Sequence, residues 1–354
     1  MIFPAGAICP PAIAGGCAPA QRKSQSRGIV MKQLAEEIIA GRRLGRQDDL
    51  SFFFTADLRE LCAGADRIRR ALCGNTAELC TIINGRSGRC GENCKFCAQS
   101  CHNHAHIEEY PFLDSGEIVA EGQRNEAAGV HRYSIVTAGR SLQGTDLEHA
   151  LAAYHSLREH TNLELCASHG LQTTEEFRRM KEAGVTRCHC NLETSRRYFP
   201  SICTTHTYDD KIANIRRAQE AGLEICSGGI IGMNETWQDR LELALDLAEL
   251  GVVSIPLNIL RPIAGTPLEH LSPLSNEDVL RTVAMFRYIN PNAWIRMAAG
   301  RSQFSDGGAE LFQSGANSAI TGDMLTTTGT SIASDIAMLR QLGYTLEKER
   351  NQNA

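Results

Sequence analysis

The chain has 354 residues, of which 42% are hydrophobic and 22% are charged, an ordinary balance for a globular protein. The formal net charge of −5 and the lack of a long apolar run argue against nucleic acid or a membrane as a partner. Fourteen cysteines without a convincing secretory signal favour thiolate metal ligands over disulfides, so we expect a cytoplasmic protein.

Residues 1–30 differ in composition from the rest of the chain. They are rich in Ala, Pro and Gly and then become basic, whereas a signal peptide carries its positive charge before the apolar run. A more ordinary helical sequence opens at Met31. We therefore expect residues 1–30 to be a disordered extension or to precede the natural start. We expect an N-terminal helical segment at 31–75, a barrel at 76–345 and a tail at 346–354.

One pattern recurs through the rest of the chain. A helical stretch ends in a small residue and Gly, and a short apolar strand follows, as at Gly129, Gly184, Gly222 and Gly251. Further apolar strands are predicted near residues 79, 163, 294 and 317, which gives about eight helix–strand units. Such alternation favours parallel strands that are buried on both faces.

These units predict an α/β fold, specifically a (β/α)₈ TIM-type barrel. Its active site should lie inside the barrel at the C-terminal ends of the strands. A doubly wound sheet is the alternative, but no G-x-G-x-x-G pattern follows the first predicted strand.

Three cysteines follow the first predicted strand in a C-x3-C-x2-C pattern. Cys90, Cys94 and Cys97 could ligate three irons of a [4Fe–4S] cluster and leave the fourth iron open to a small ligand. The alternative is a structural zinc site with Cys101 as the fourth ligand. Zinc sites usually contain two close cysteine pairs separated by a longer loop, and this spacing is more crowded.

The triad, its neighbour Phe96 and its position after the first strand resemble the radical-SAM superfamily. The resemblance implies that S-adenosylmethionine (SAM) binds the open iron through its amino and carboxylate groups. It also implies cleavage of SAM to methionine and a 5′-deoxyadenosyl radical, with Phe96 contacting the adenine.

Longer stretches resemble the biotin synthase family from about Leu61 to Tyr344. They include CGNTAELCTIINGRSGRCGENCKFCAQS, CNLETSRRYFPSICTTHTYDDKI, ICSGGIIGMNET and IPLNILRPIAGTPLE. The resemblance implies sulfur insertion into dethiobiotin to form biotin, with the sulfur supplied by an auxiliary iron–sulfur cluster. It further implies an electron-donor protein of the flavodoxin or ferredoxin type and a homodimer. The alternative is another radical-SAM enzyme of this barrel subgroup, of the hydrogenase-maturation or methylornithine type.

The auxiliary cluster of the family is a [2Fe–2S] unit held by three cysteines and one arginine. Cys166, Cys226 and Arg296 match three of these positions, and relatives in the alternative group generally lack the two cysteines. The remaining family position is Ser134 in this chain. Serine is a poor substitute because iron in such clusters favours the softer thiolate, so we expect a ligand set different from the usual one.

Cys188 and Cys190 are candidates to complete that set. A C-x-C pattern on one strand places both thiols on the same face, and an inward face would suit a different auxiliary cluster, including a four-iron type. Asn191 and Glu193 alternate with them and face the substrate in the family pattern. That parity would turn both thiols outward unless a bulge intervenes. The sequence is compatible with two roles for these cysteines, either as cluster ligands or as buried inert thiols.

The resemblance also assigns contacts to SAM and substrate. Asn191 and Glu193 should meet the ribose hydroxyls of SAM, and Lys211 should lie near its carboxylate. Asn191 and Asn258 should contact dethiobiotin, while His189 stands at a family asparagine position near the ureido ring. Four further cysteines belong to no such group and are expected to be structural, namely Cys62, Cys73, Cys80 and Cys203.

Overall fold

The structure, a computed structural model, describes residues 31–325 and 329–346. The expectations for residues 1–30 and for the tail beyond residue 346 therefore lie outside the described residues. Within the described ranges, no helix combines the length and apolar character that a bilayer crossing requires.

The N-terminal segment contains two helices and a 3₁₀ turn. Helix α1 covers residues 31–39, a 3₁₀ turn covers Ser51–Phe54, and α2 covers Leu58–Cys73. The hydroxyl of Tyr288 donates a hydrogen bond to the carbonyl oxygen of Met31 at 3.2 Å. This buried contact fixes α1 to the outer helical layer of the barrel.

The rest of the chain alternates strands and helices. The strands are β1 (Thr76–Arg86), β2 (Arg132–Thr137), β3 (Glu164–Ser168), β4 (Val185–His189), β5 (Glu224–Cys226), β6 (Gly229–Ile231), β7 (Ser254–Ile259), β8 (Trp294–Met297), β9 (Ser318–Ile320) and β10 (Thr345–Leu346). The helices are α3 (Ser115–Ala127), α4 (Gly144–His160), α5 (Thr174–Glu182), α6 (Tyr208–Glu220), α7 (Trp237–Glu249), α8 (Asn276–Ile289), α9 (Ala309–Phe312) and α10 (Ile332–Gln341).

The strands close into a parallel barrel with eight strand positions, or staves. β5 and β6 act as one interrupted strand, because β5 pairs with β4 and β7 while β6 pairs with β7. β9 pairs with β1 and closes the circle, and β10 adds to the start of β1. The predicted (β/α)₈ barrel is confirmed. The glycines of the recurring pattern have the expected left-handed backbone, for example Gly184 with φ 111° and Gly222 with φ 80°.

A buried polar chain joins β2, β3 and α4 outside the barrel. One ring nitrogen of His169 bonds the Thr137 hydroxyl at 3.0 Å, and the other bonds the Tyr154 hydroxyl at 2.8 Å. Burial, together with the charge of Arg86, lowers the pKa of His169 to about 3. The imidazole is therefore neutral in the folded protein near neutral pH.

This low pKa predicts a loss of stability in mild acid. Below the usual histidine pKa only the unfolded chain takes up the proton, so stability falls as the pH drops from about 6.5 towards 3. At pH 5 the loss is about 2 kcal/mol relative to pH 7.5. We expect His169→Gln to lack this part of the pH dependence in denaturant unfolding.

His155→Gln is the matched control, because His155 lies exposed on α4. It should retain the pH dependence of the parent chain. An identical difference between pH 7.5 and pH 5 for the parent and His169→Gln would contradict the assignment.

Candidate active site inside the barrel

The barrel encloses a cavity of about 350 Å³. Its wall combines inward-facing strand residues with residues from the loops at the C-terminal ends of the strands. The strand residues include Cys80, Ser134, Cys166, His189, Cys226, Asn258 and Arg296, and the loop residues include Phe96, Cys97, Asn191, Glu193 and Met324. The site therefore lies where the barrel topology predicted it.

The cysteine triad lies on the loop that follows β1. The amide of Cys90 donates to the Gln99 carbonyl at 3.0 Å, and the amide of Cys101 donates back to Cys90 at 2.8 Å. A tight turn links Cys97 to Cys94, with an N–H···O distance of 3.1 Å. All three triad thiols are half-buried, and Cys101 is exposed. The backbone thus folds the spacing C-x3-C-x2-C into one compact loop at the cavity.

Asn103 holds this loop closed, a role that the sequence alone did not predict. Its side-chain amide donates to the carbonyl oxygens of Cys94 at 3.1 Å and Cys97 at 2.8 Å. The only signal in the sequence is a short polar residue just after a cysteine-rich turn. On the other side of the loop, the Asn93 side chain donates to the Thr204 hydroxyl at 2.7 Å.

Cys203 lies beside the triad, although the sequence analysis gave it only a structural role. The sulfurs of Cys94 and Cys203 and a ring nitrogen of His206 lie within 4.8 Å of one another. A hydrogen bond between the two thiols raises the pKa of Cys94 and lowers that of Cys203. Glu92 in turn bonds the His206 ring. This segment after β4 therefore packs directly under the triad loop.

Asn191 and Glu193 lie just after the end of β4, at the cavity. The Asn191 amide donates to the Glu193 carboxylate at 3.3 Å, and its oxygen accepts from the Gly228 amide at 3.0 Å. Glu193 has a left-handed backbone with φ 69°, which is strained for a residue with a side chain. Burial raises the pKa of Glu193, and the charge of Lys211 opposes this shift.

Asn258 and His189 also lie on the cavity wall, as expected. Asn258 donates to the Gly229 carbonyl at 3.2 Å and accepts from the Ala299 amide at 3.2 Å, so its amide is held in one orientation. A ring nitrogen of His189 lies 3.5 Å from the Cys226 sulfur. Lys211 is close enough to Glu193 to influence its ionisation, although it is not part of the wall.

The residues expected at the auxiliary site meet deep in the barrel. Cys166, Cys226, Arg296 and Ser134 all line the cavity. The Arg296 guanidinium donates twice to the Ser254 hydroxyl at 3.3 Å, and the Cys226 thiol donates to the same oxygen at 3.4 Å. Burial disfavours the Cys226 thiolate, yet the hydrogen bond with His189 and the nearby guanidinium charges lower its pKa.

The floor of the site carries a dense group of charges. Buried Glu78 forms ion pairs with Arg132 at 3.2 Å, with Arg187 at 3.0 Å and with Arg296. Burial alone would raise the pKa of Glu78, but the three guanidinium groups hold it well below its usual value. Arg132 and Arg187 also pair with more exposed carboxylates on β3 and β5, at 3.9 Å and 2.8 Å, so the three guanidinium groups are not balanced by Glu78 alone.

Cys188 and Cys190 do not join this group. Both are buried, but they belong to the apolar core between the strands and the outer helices. Arg187, His189 and Asn191 alternate with them and take the inward positions. β4 pairs with β5 without a bulge between Arg187 and His189, so nothing there reverses the parity.

The barrel and the three-cysteine loop define the class of radical-SAM enzymes. Residues 86–247 match the Radical SAM superfamily, and residues 256–345 match the Biotin and Thiamin Synthesis associated domain. The chain is 60% identical over 316 residues to the biotin synthase of Clostridium beijerinckii, which covers 89% of this chain and 100% of the relative. It is 58% identical to the biotin synthase of Alkaliphilus metalliredigens, over 89% of this chain and 99% of the relative. The chain belongs to the biotin synthase family.

Solved structures support the fold independently. A methylornithine synthase has a TM-score of 0.79 at 19% identity, over 90% of this chain and 99% of that chain. A maturase of the [FeFe]-hydrogenase has a TM-score of 0.73 at 17% identity, over 92% of this chain and 78% of that chain. Radical-SAM membership carries with it a [4Fe–4S] cluster and SAM.

We expect Asn103→Ala to weaken retention of iron by the triad loop. The substitution removes two hydrogen bonds and leaves two carbonyl oxygens of the loop without these donors, so iron should be lost to a chelator about tenfold faster. Absorbance decay of the anaerobically reconstituted protein with excess chelator measures this rate. His106→Ala, an exposed change in the same segment, should behave like the parent. Equal decay rates for Asn103→Ala and the parent would contradict the role.

Proposed function

We propose that this enzyme converts dethiobiotin to biotin by inserting sulfur between two unactivated carbons. The observation that carries the proposal is that a single cavity joins the triad loop at its mouth to Cys166, Cys226 and Arg296 at its floor. A site for radical generation and a thiol-rich site for sulfur supply thus face the same enclosed space. The identity to biotin synthases supports the choice of substrate.

We propose that the triad thiols hold the [4Fe–4S] cluster and that the floor residues hold the auxiliary cluster. Three half-buried thiols on one compact loop suit the first group, and buried thiols beside guanidinium groups suit the second. When bound at the triad, the [4Fe–4S] cluster supplies the electron that cleaves SAM to methionine and the 5′-deoxyadenosyl radical.

The reaction requires two C–H bonds to break and two C–S bonds to form. Each hydrogen atom leaves in one molecule of 5′-deoxyadenosine, so each product consumes two SAM molecules. A bound auxiliary cluster would supply the sulfur, and a donor protein of the flavodoxin or ferredoxin type would supply the electrons. That donor, a homodimer and a cytoplasmic location belong to the proposal through the family resemblance.

The surrounding side chains position the reactants in this proposal. Glu193 accepts hydrogen bonds from the ribose hydroxyls of SAM, and the Asn191 amide donates to them. Both side chains lie just after the end of β4. Phe96 packs against the adenine, and Lys211 offers positive charge towards the SAM carboxylate. Asn258, whose orientation two backbone hydrogen bonds fix, presents its amide to dethiobiotin. The closed barrel keeps water from the radical.

Anaerobic turnover with SAM, dethiobiotin and a reductant tests the function. We expect the parent chain to form 5′-deoxyadenosine and biotin, and Cys90→Ala to form neither. Cys166→Ala should still release 5′-deoxyadenosine, while biotin falls by at least about 100-fold because sulfur supply is lost. Mass spectrometry quantifies both products.

Cys101→Ala is the matched control, because this exposed thiol neighbours the triad without being part of it. It should retain both products. Abundant 5′-deoxyadenosine with no biotin from the parent chain would count against the proposed function.

A further inference from the structure

Cys80 occupies an unexpected place in the barrel. It is buried on β1 and lines the same cavity as Cys166, Cys226 and Arg296. Ile82, two residues later on the same strand, also lines the cavity, as strand alternation requires. Cys80 is therefore an inward-facing thiol, and it makes a long contact of 3.5 Å with the Thr81 carbonyl.

The strand register places Cys80 in one layer with the three floor residues. From Cys80 the pairing leads through β2 to Glu164 on β3, two residues before Cys166. In the same way, the pairing from Cys166 through β4 reaches a residue on β5 that lies two positions before Cys226. The register advances by two residues again from Cys226 to Arg296 on β8, and once more from Arg296 to Cys80 on β1.

Four advances of two residues give a total shift of eight residues around the circle. Eight is the shear number of a TIM-type barrel, whose interior is filled by layers of four side chains from alternate strands. The layer at this height thus contains three thiols and one guanidinium.

Ser134 belongs to a different layer. The same register places it with His189, Pro256 and Ile320, on the other four staves. A hydroxyl at this position does not offer the soft sulfur that iron in such clusters prefers.

We propose that Cys80 supplies the third thiolate of the auxiliary iron–sulfur cluster, in place of the residue at position 134. This inference rests on the proposed function and specifies its ligand set as Cys80, Cys166, Cys226 and Arg296. The number of thiols and the arginine of the family pattern are retained, and one thiol has moved to the adjacent strand. Cys188 and Cys190, which point into the outer core, take no part.

Guanidinium groups lie close to this layer. Glu78, two residues before Cys80 on β1, pairs with Arg132, Arg187 and Arg296, and all three arginines line the same cavity as the thiols. A guanidinium favours the charged form of a neighbouring thiol, so thiolates that bind a cluster suit this position.

Anaerobic reconstitution with ⁵⁷Fe, followed by Mössbauer spectroscopy and by iron and acid-labile sulfide analysis, tests the proposal. The parent should show the triad cluster and a second, auxiliary species. We expect Cys80→Ser to lose the auxiliary iron and sulfide and to keep the triad cluster, which also reports that the variant is folded. Ser134→Ala and Cys62→Ser, a half-buried thiol on α2, should keep both species.

An unchanged auxiliary species in Cys80→Ser overturns the proposal, and so does its loss in Ser134→Ala alone. If Cys80→Ser loses both species, the double variant Cys80→Ser/Ser134→Cys decides. Recovery of auxiliary iron with the thiol at the family's usual position supports the proposal, and no recovery counts against it. A parent chain that never shows a second species contradicts the proposed function instead, which separates the two failures.

Discussion

The pairing of β9 with β1 closes the barrel, and the arrangement of the active site depends on that closure. It sets Glu78 beside Ser318 and Cys80 beside Ile320, which fixes the height of β1 relative to β8. Because the barrel is closed, the register cannot slip on one strand without moving side chains on every other strand. The same constraint brings residues separated by more than 200 positions, such as Glu78 and Arg296, into direct contact.

The charges inside the barrel are costly to bury, and their pattern indicates why they are there. Glu78 forms ion pairs with three buried arginines, so each charge has a partner and the cost of desolvation is offset. Arg132 and Arg187 also pair with carboxylates on β3 and β5. All three guanidinium groups line the cavity beside the inward thiols, where they suit thiolates that bind a cluster. Fold stability and cofactor binding therefore share the same residues at the barrel floor.

Much of the fold could be predicted from local sequence. The glycines that end the helices and the apolar strands that follow them located all eight staves, since both signals act within a few residues. The triad could also be predicted from the sequence, because its three cysteines lie close together along the chain. Cys166, Cys226 and Arg296 line the cavity, whereas the candidate ligands Cys188 and Cys190 lie in the outer core, on the face that strand alternation gives them.

Other features depended on long-range geometry. Cys80 was assigned a structural role because layer membership follows from the shear of the closed barrel, which no single strand encodes. The contact of Cys203 with Cys94 joins two loops more than 100 residues apart, and the left-handed backbone of Glu193 lies against Gly229 on another strand. The role of Asn103 could not be predicted because its partners are backbone carbonyls, which every residue type provides.

The most direct test of the account is the position of iron in the barrel. Anomalous scattering measured on both sides of the iron edge, from crystals of the anaerobically reconstituted protein, would locate each iron site. The account predicts one peak at Cys90, Cys94 and Cys97 and a second bounded by Cys80, Cys166 and Cys226. A second peak bonded to Ser134, or one displaced to Cys188 and Cys190 outside the barrel wall, would contradict it.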